Sequence, residues 1–149
     1  MSFDPGSVIF DRCPRGIDKQ ALQAFHGMLL IEVTGGSGFD CLIARDKRLL
    51  KLNREFLGRE YPADVLSFPS RTGGKIGEIA ISADRAIDQA AQLGHAAQQE
   101  IEILMLHGAL HLMGMDHERD HGKMARAEEK FREMFGLPNA LIARSKKKA

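Results

Sequence analysis

The stretch His107-Gly108-Ala109-Leu110-His111-Leu112-Met113-Gly114-Met115-Asp116-His117 carries three imidazoles at i, i+4 and i+10, with a glycine at i+7. Imidazole is the commonest protein ligand for zinc. Three protein ligands plus one open position mark a catalytic site rather than a structural one. Residues from about Ala96 to Met113 predict a helix apolar on nearly every side, hence a buried one. On it, His107 and His111 sit about 40° apart around the axis and roughly 6 Å along it, close enough to share an ion. His117 would leave that face if the helix continued. Gly114 can take a left-handed conformation, end the helix and turn the chain back, so that His117 closes the site. The spacing therefore points to a metal-dependent hydrolase.

A second metal pattern overlaps the first. His117-Glu118-Arg119-Asp120-His121 matches H-E-x-x-H, in which two histidines bind zinc and the Glu is the general base. Its interior is charged, it follows a helix stop, and it lacks a third ligand, so it ranks below the first. One absence separates the chain from the metzincin proteases. There the residue after the first His is the Glu base, whereas this chain has Gly108. The helix is metzincin-like and the protease base is missing. A metallopeptidase would need Asp116 or Glu118 in its place.

The rest of the chain must position these side chains. At 149 residues it is long enough for one domain that buries roughly two thirds of its extended-chain surface. A net charge of +1 excludes binding of nucleic acid by bulk electrostatics, so any basic surface is local. Cys13 and Cys41 form neither a C-x-x-C pair nor a disulfide framework. No signal-like segment opens the chain and no apolar run has the length of a membrane span, so a cytoplasmic protein without a membrane partner is expected.

Short strands are expected at Ser7–Phe10, Leu30–Thr34, Cys41–Ala44, Val65–Phe68 and Gly77–Ser82, with Leu30–Thr34 and Cys41–Ala44 as a hairpin. Helices are expected at Ile17–Leu29, at Lys47–Leu57 capped by Asp46 and stopped by Gly58, from Ser82 or Asp84 to Leu93, and at about Arg119–Phe135. Residues from about 137 to 149 read as a flexible basic tail. The sum is an α+β domain over residues 1–149, a small mixed sheet packed with several helices. Gly73-Gly74-Lys75 lacks the glycine and the Ser/Thr that a phosphate loop requires, and His26 and His95 have no ligand partners at metal spacing.

The histidine block resembles the signature of the YbeY family of bacterial rRNA-maturation endoribonucleases. Leu52-Asn53-Arg54-Glu55-Phe56, then Pro62-Ala63-Asp64-Val65-Leu66-Ser67-Phe68-Pro69, is similar to that family's "LN…, PTDVLSFP" segment, and Gly77-Glu78-Ile79-Ala80-Ile81-Ser82 to its "GDIxIS" strand. The resemblance spans roughly Leu49 to Phe135. It implies one zinc ion on His107, His111 and His117, and cleavage of single-stranded RNA in the 3′-end maturation of small-subunit rRNA. It also implies a role in ribosome quality control, with ribosomal particles as partners. Three positions depart from the family pattern: Leu57 stands where an Arg is usual, Ala63 where a Thr is, and Met115 where an aromatic is.

Attack on phosphorus builds negative charge on the equatorial oxygens, for which Arg59 is the nearby candidate cation. Asp116 either serves in proton transfer or orients a ligand histidine. Asn53, Asp64 and Ser67 either line the substrate cleft or cap and turn the chain. Leu57 lends weight to a third reading, a non-enzymatic ribosome-assembly factor with a structural metal.

Overall fold

The computed structural model describes residues 4–71 and 73–147. In chain order the elements are β1 (Val8–Phe10), α1 (Lys19–Glu32), β2 (Gly38–Ala44), α2 (Asp46–Leu57), β3 (Val65–Pro69), β4 (Lys75–Ser82), α3 (Ala83–Leu93), α4 (Ala97–Leu112), α5 (Lys123–Phe135) and α6 (Leu141–Lys147). The sheet order is β1-β2-β4-β3. β1 and β4 run parallel to β2, and β3 is an antiparallel edge strand on β4. This is the expected α+β class with a small mixed sheet. No helix among the described residues is long and apolar enough to cross a membrane.

The all-round apolar helix is the hub. α4 touches α1, α3, α5, α6, β3 and β4, and Ile101, Ile103, Leu104, Met105, Leu106 and Leu110 on it are buried. Its packing is closest at Gly108. A Cβ there would lie 2.9 Å from two atoms of the buried Ile79 side chain on β4. α2 covers the other sheet face, where Leu49, Leu66 and Ala80 form a smaller core.

Four expectations are corrected. Leu30–Thr34 is the end of α1 and its cap rather than a strand, so there is no hairpin. Leu30 and Val33 continue the core-facing stripe of Leu22, Phe25 and Leu29 at helical spacing while Ile31 faces solvent, and burial along that stripe overrides β propensity. Arg45, not Asp46, is the N-cap of α2. Asp46 instead accepts the Ser82 hydroxyl, and its own N–H donates to Asp84 Oδ2 at 2.7 Å, bracing the starts of α2 and α3 together. α5 begins at Lys123, because the Asp120 carboxylate accepts from Met124 N at 2.9 Å and caps the helix there. Finally, the segment from 137 is folded where a flexible tail is expected. Leu137, Ala140 and Ile142 are buried, and Arg144 on α6 binds both oxygens of the buried Glu100 at 3.0 and 3.1 Å. Residues 148 and 149 lie outside the described residues.

Candidate metal centre

α4 ends as the glycine requires. Gly114 has φ +88°. Its N–H donates to His111 O at 2.9 Å, and Met115 N donates to Leu110 O at 3.2 Å. This paired closure satisfies the last carbonyls and reverses the chain. It returns His117 to the two helical histidines. Ring centroids are 4.7 Å apart for His107–His111, 5.9 Å for His107–His117 and 6.0 Å for His111–His117. One ring nitrogen from each of the three lies within 4.8 Å of the other two. His107 is buried, His111 half-buried and His117 exposed, so the cluster opens from the core to the surface.

The tautomers suit a metal. His107 Nδ1 donates to Glu128 Oε2 at 2.7 Å, and His111 Nδ1 donates to Met115 O at 2.9 Å, since a carboxylate and a carbonyl can only accept. In a neutral ring so oriented, the Nε2 lone pair is the one left to hold a metal. Burial, and then the neighbouring His107, lower the proton affinity of His111, which favours its neutral, ligating form. Three clustered imidazoles, one held by a buried carboxylate, form a donor set that can hold a metal ion.

The remaining candidates separate clearly. Arg59, Ser67, Leu57, His107 and His111 line one cleft of about 260 Å³. Ser67 Oγ donates to Gly108 O at 3.4 Å, on the edge strand that walls the cleft. Asn53 is fully buried behind it. Its Nδ2 donates to Tyr61 O at 2.7 Å and its backbone carbonyl accepts from Arg59 N at 3.2 Å, so it shapes the loop that carries Arg59. Asp64 accepts from Val65 N at 2.8 Å and from Gln89 Nε2 at 3.4 Å, which ties β3 to α3. Asp116 accepts from Glu118 N at 3.1 Å and sits 3.9 Å from Arg119 Nε, with its side chain half exposed. Glu128, not Asp116, orients a cluster histidine. The signal for it is present in the sequence: Met124, Glu128, Phe131 and Phe135 follow helical spacing, and a carboxylate on such a stripe needs a buried partner.

The overlapping H-E-x-x-H does not form a site. Residues 117–122 are turn, not helix, and His121 has φ +55°. Among the described residues His121 joins no cluster able to hold a metal. The other two histidines are structural: His26 Nε2 meets Phe39 O at 2.7 Å, and His95 Nε2 meets Glu100 Oε1 at 2.7 Å.

Known proteins resemble this chain in fold and in sequence. The fold is similar to the solution structure of TM1509 from Thermotoga maritima, with a TM-score of 0.62 at 24% identity, covering 87% of this chain and 89% of that one. The chain is 49% identical over 145 residues to Endoribonuclease YbeY of Solibacter usitatus, covering 97% of this chain and 98% of the relative. It is 39% identical over 142 residues to Endoribonuclease YbeY of Koribacter versatilis, covering 95% and 93%. The family model for Endoribonuclease YbeY matches residues 15–136, which takes in the cleft, all three clustered histidines and Glu128. On that match and those two near-complete alignments, the chain belongs to the YbeY endoribonuclease family.

Proposed function

We propose that this chain is a zinc-dependent endoribonuclease that hydrolyses single-stranded RNA, acting on the 3′ end of small-subunit rRNA and on ribosomal particles in the cytoplasm, as a single domain. The observation that carries the reading is a cleft lined by Arg59 together with His107 and His111, two members of the three-histidine cluster that His117 completes. His107, His111 and His117 would hold the ion. Zinc bound there supplies Lewis acidity to a phosphoryl oxygen and to a water nucleophile.

The protein's own groups do the rest. Glu128 fixes the His107 tautomer and Met115 O fixes that of His111. Arg59 faces the charge that grows on the phosphoryl oxygens, the task for which the family pattern has an Arg at position 57. Asn53 holds the Arg59 loop in place, and Ser67 lines the wall against which the ribose-phosphate lies. With the orienting role taken by Glu128, the half-exposed Asp116, next to His117 in the chain and only loosely paired with Arg119 at 3.9 Å, is assigned the proton transfer. A peptidase is disfavoured by packing as well as by chemistry. Position 108 faces Ile79 of the sheet, so no base carried there would point at a substrate.

Metal analysis with digestion of single-stranded RNA by wild type and His111→Ala tests the reading. The wild type should bind one equivalent of zinc and cut; His111→Ala should do neither. Equal cleavage by both would trace the activity to a contaminating nuclease and sink the proposal. A metal that raises the melting point of a protein unable to cut RNA would instead assign the ion a structural role.

A further inference from the structure

We propose that single-stranded RNA is also held at a distance from the histidines, on a track that runs along α2 from a basic pocket at its start to the histidine cleft at its end. The identity of the strand rests on the nuclease reading above; its path is new. With a net charge of +1, a basic surface on this chain has to be local. Arg12, Arg45, Lys47, Arg48 and Lys51 line a pocket of about 330 Å³ that contains one carboxylate, Asp11. Arg45 is engaged by Asp84 at 2.7 Å and Arg48 by Asp11 at 3.6 Å. Arg12, Lys47 and Lys51 are exposed and have no ion-pair partner among the described residues.

Arg48 also lines the next cavity, of about 470 Å³, together with Leu52, Phe56 and Phe68. Residues 48, 52 and 56 recur every fourth position and so form one stripe of the helix. Phe56 is 64% exposed, and its ring meets Phe68 edge-on at 5.6 Å. Leu57, the following residue, already lines the histidine cleft, as do Ser67 and Pro69 on either side of Phe68. Cations, the exposed Phe56 and the cleft therefore follow one another along a helix of 12 residues, about 18 Å long. Cations for phosphates beside aromatic faces for bases are what a single strand requires.

The charges also orient the strand. Asp40 and Glu78, register partners on β2 and β4, form the sheet-side wall of the aromatic groove; Asp40 is neutralised by Lys75 Nζ at 2.6 Å, which leaves Glu78 as the wall's carboxylate without an ion-pair partner among the described residues. Carboxylates repel phosphates and accept hydrogen bonds from base amino groups such as cytosine N4. Bases thus face the sheet, and phosphates face Arg48 and Lys51. An acidic protein segment fits the basic pocket but not a groove backed by the Glu78 carboxylate.

Fluorescence anisotropy on the full chain tests the track, using a labelled dinucleotide and a labelled single strand of about twelve nucleotides. For the longer strand, Lys47→Glu/Lys51→Glu should weaken binding about tenfold and lower the salt slope by about 1.4, the share of two phosphates. Phe56→Ala should weaken it by a similar factor through lost stacking. Affinity for the dinucleotide and the thermal midpoint should not change. Equal affinity of wild type and both variants for the longer strand overturns the track. So does a double variant that loses an oligoglutamate peptide while keeping the RNA, which would assign the pocket to an acidic protein. A wild type that binds the longer strand through Lys47 and Lys51 but never cuts it supports the track and overturns the nuclease reading instead.

Discussion

Glu128 does two jobs with one carboxylate. Oε2 accepts from His107, and Oε1 accepts from Ile142 N at 2.8 Å, at the start of α6. Glu128→Gln can keep only one of these bonds, because the amide nitrogen donates. Metal affinity should fall 10–100-fold, the usual effect of losing a ligand's supporting partner, as read by competitive dye titration. An affinity within twofold of wild type would reduce Glu128 to a core hydrogen-bond partner. Gly108 is a second decisive residue, and there two effects oppose each other. Alanine is the better helix former by about 0.8–1.0 kcal/mol. Overpacking against the buried Ile79 costs about 1–3 kcal/mol. The clash should win, because atoms on both branches of the buried Ile79 stand at 2.9 Å. Gly108→Ala should therefore lower stability in urea unfolding, and adding Ile79→Val should restore part of the loss. A stabilised Gly108→Ala would show that α4 is free to move off the sheet.

Elements were legible where local geometry decides them. The helix under His107 and His111, its stop at Gly114 and the return of His117 follow from helical spacing and one left-handed glycine, so the histidine cluster could be read before any fold was known. Glu128 lies 21 residues from His107, and Arg144 lies 44 residues from Glu100. Contacts at that range depend on how α4, α5 and α6 pack, which spacing along one segment does not encode. Leu30–Thr34 failed for a related reason. Five β-rich residues look like a strand alone, yet Leu30 and Val33 among them complete a core-facing helical stripe that begins at Leu22. The lysines and arginines of the C-terminal segment suggested solvation, while its Leu137, Ala140 and Ile142 were available to anchor it. That anchoring can be measured. Arg144→Ala leaves the buried Glu100 with His95 alone, and removing one partner of a buried ion pair costs about 3–5 kcal/mol. Urea unfolding should show a loss of that order. A loss below about 1 kcal/mol, the size of an exposed pair, would make α6 peripheral after all.

At the scale of the molecule, the histidine cluster is a junction between segments with little else in common. Two ligands stand on α4, one of them inside the main core. The third comes from the turn after Gly114. Glu128 brings in α5 and, through Ile142, α6. An ion at this point ties the C-terminal third of the chain to the hub helix, whereas β2 and β4 are held by strand pairing and burial that need no ion. Metal should therefore stabilise the protein unevenly. At a free concentration a thousandfold above Kd, binding adds about 4 kcal/mol, which for a chain of this size corresponds to about 8–16 °C in the melting midpoint. Chelation should remove that increment, and amide exchange should quicken first in residues 113–122 and in α6 while β2 and β4 keep their protection. The order matters more than the size of the shift, since an ion bound adventitiously to surface histidines would change neither region selectively. Uniform loss of protection across the sheet and the C-terminal helices would mean that the ion supports the whole core, and an unchanged midpoint would mean that the three histidines hold no ion in solution.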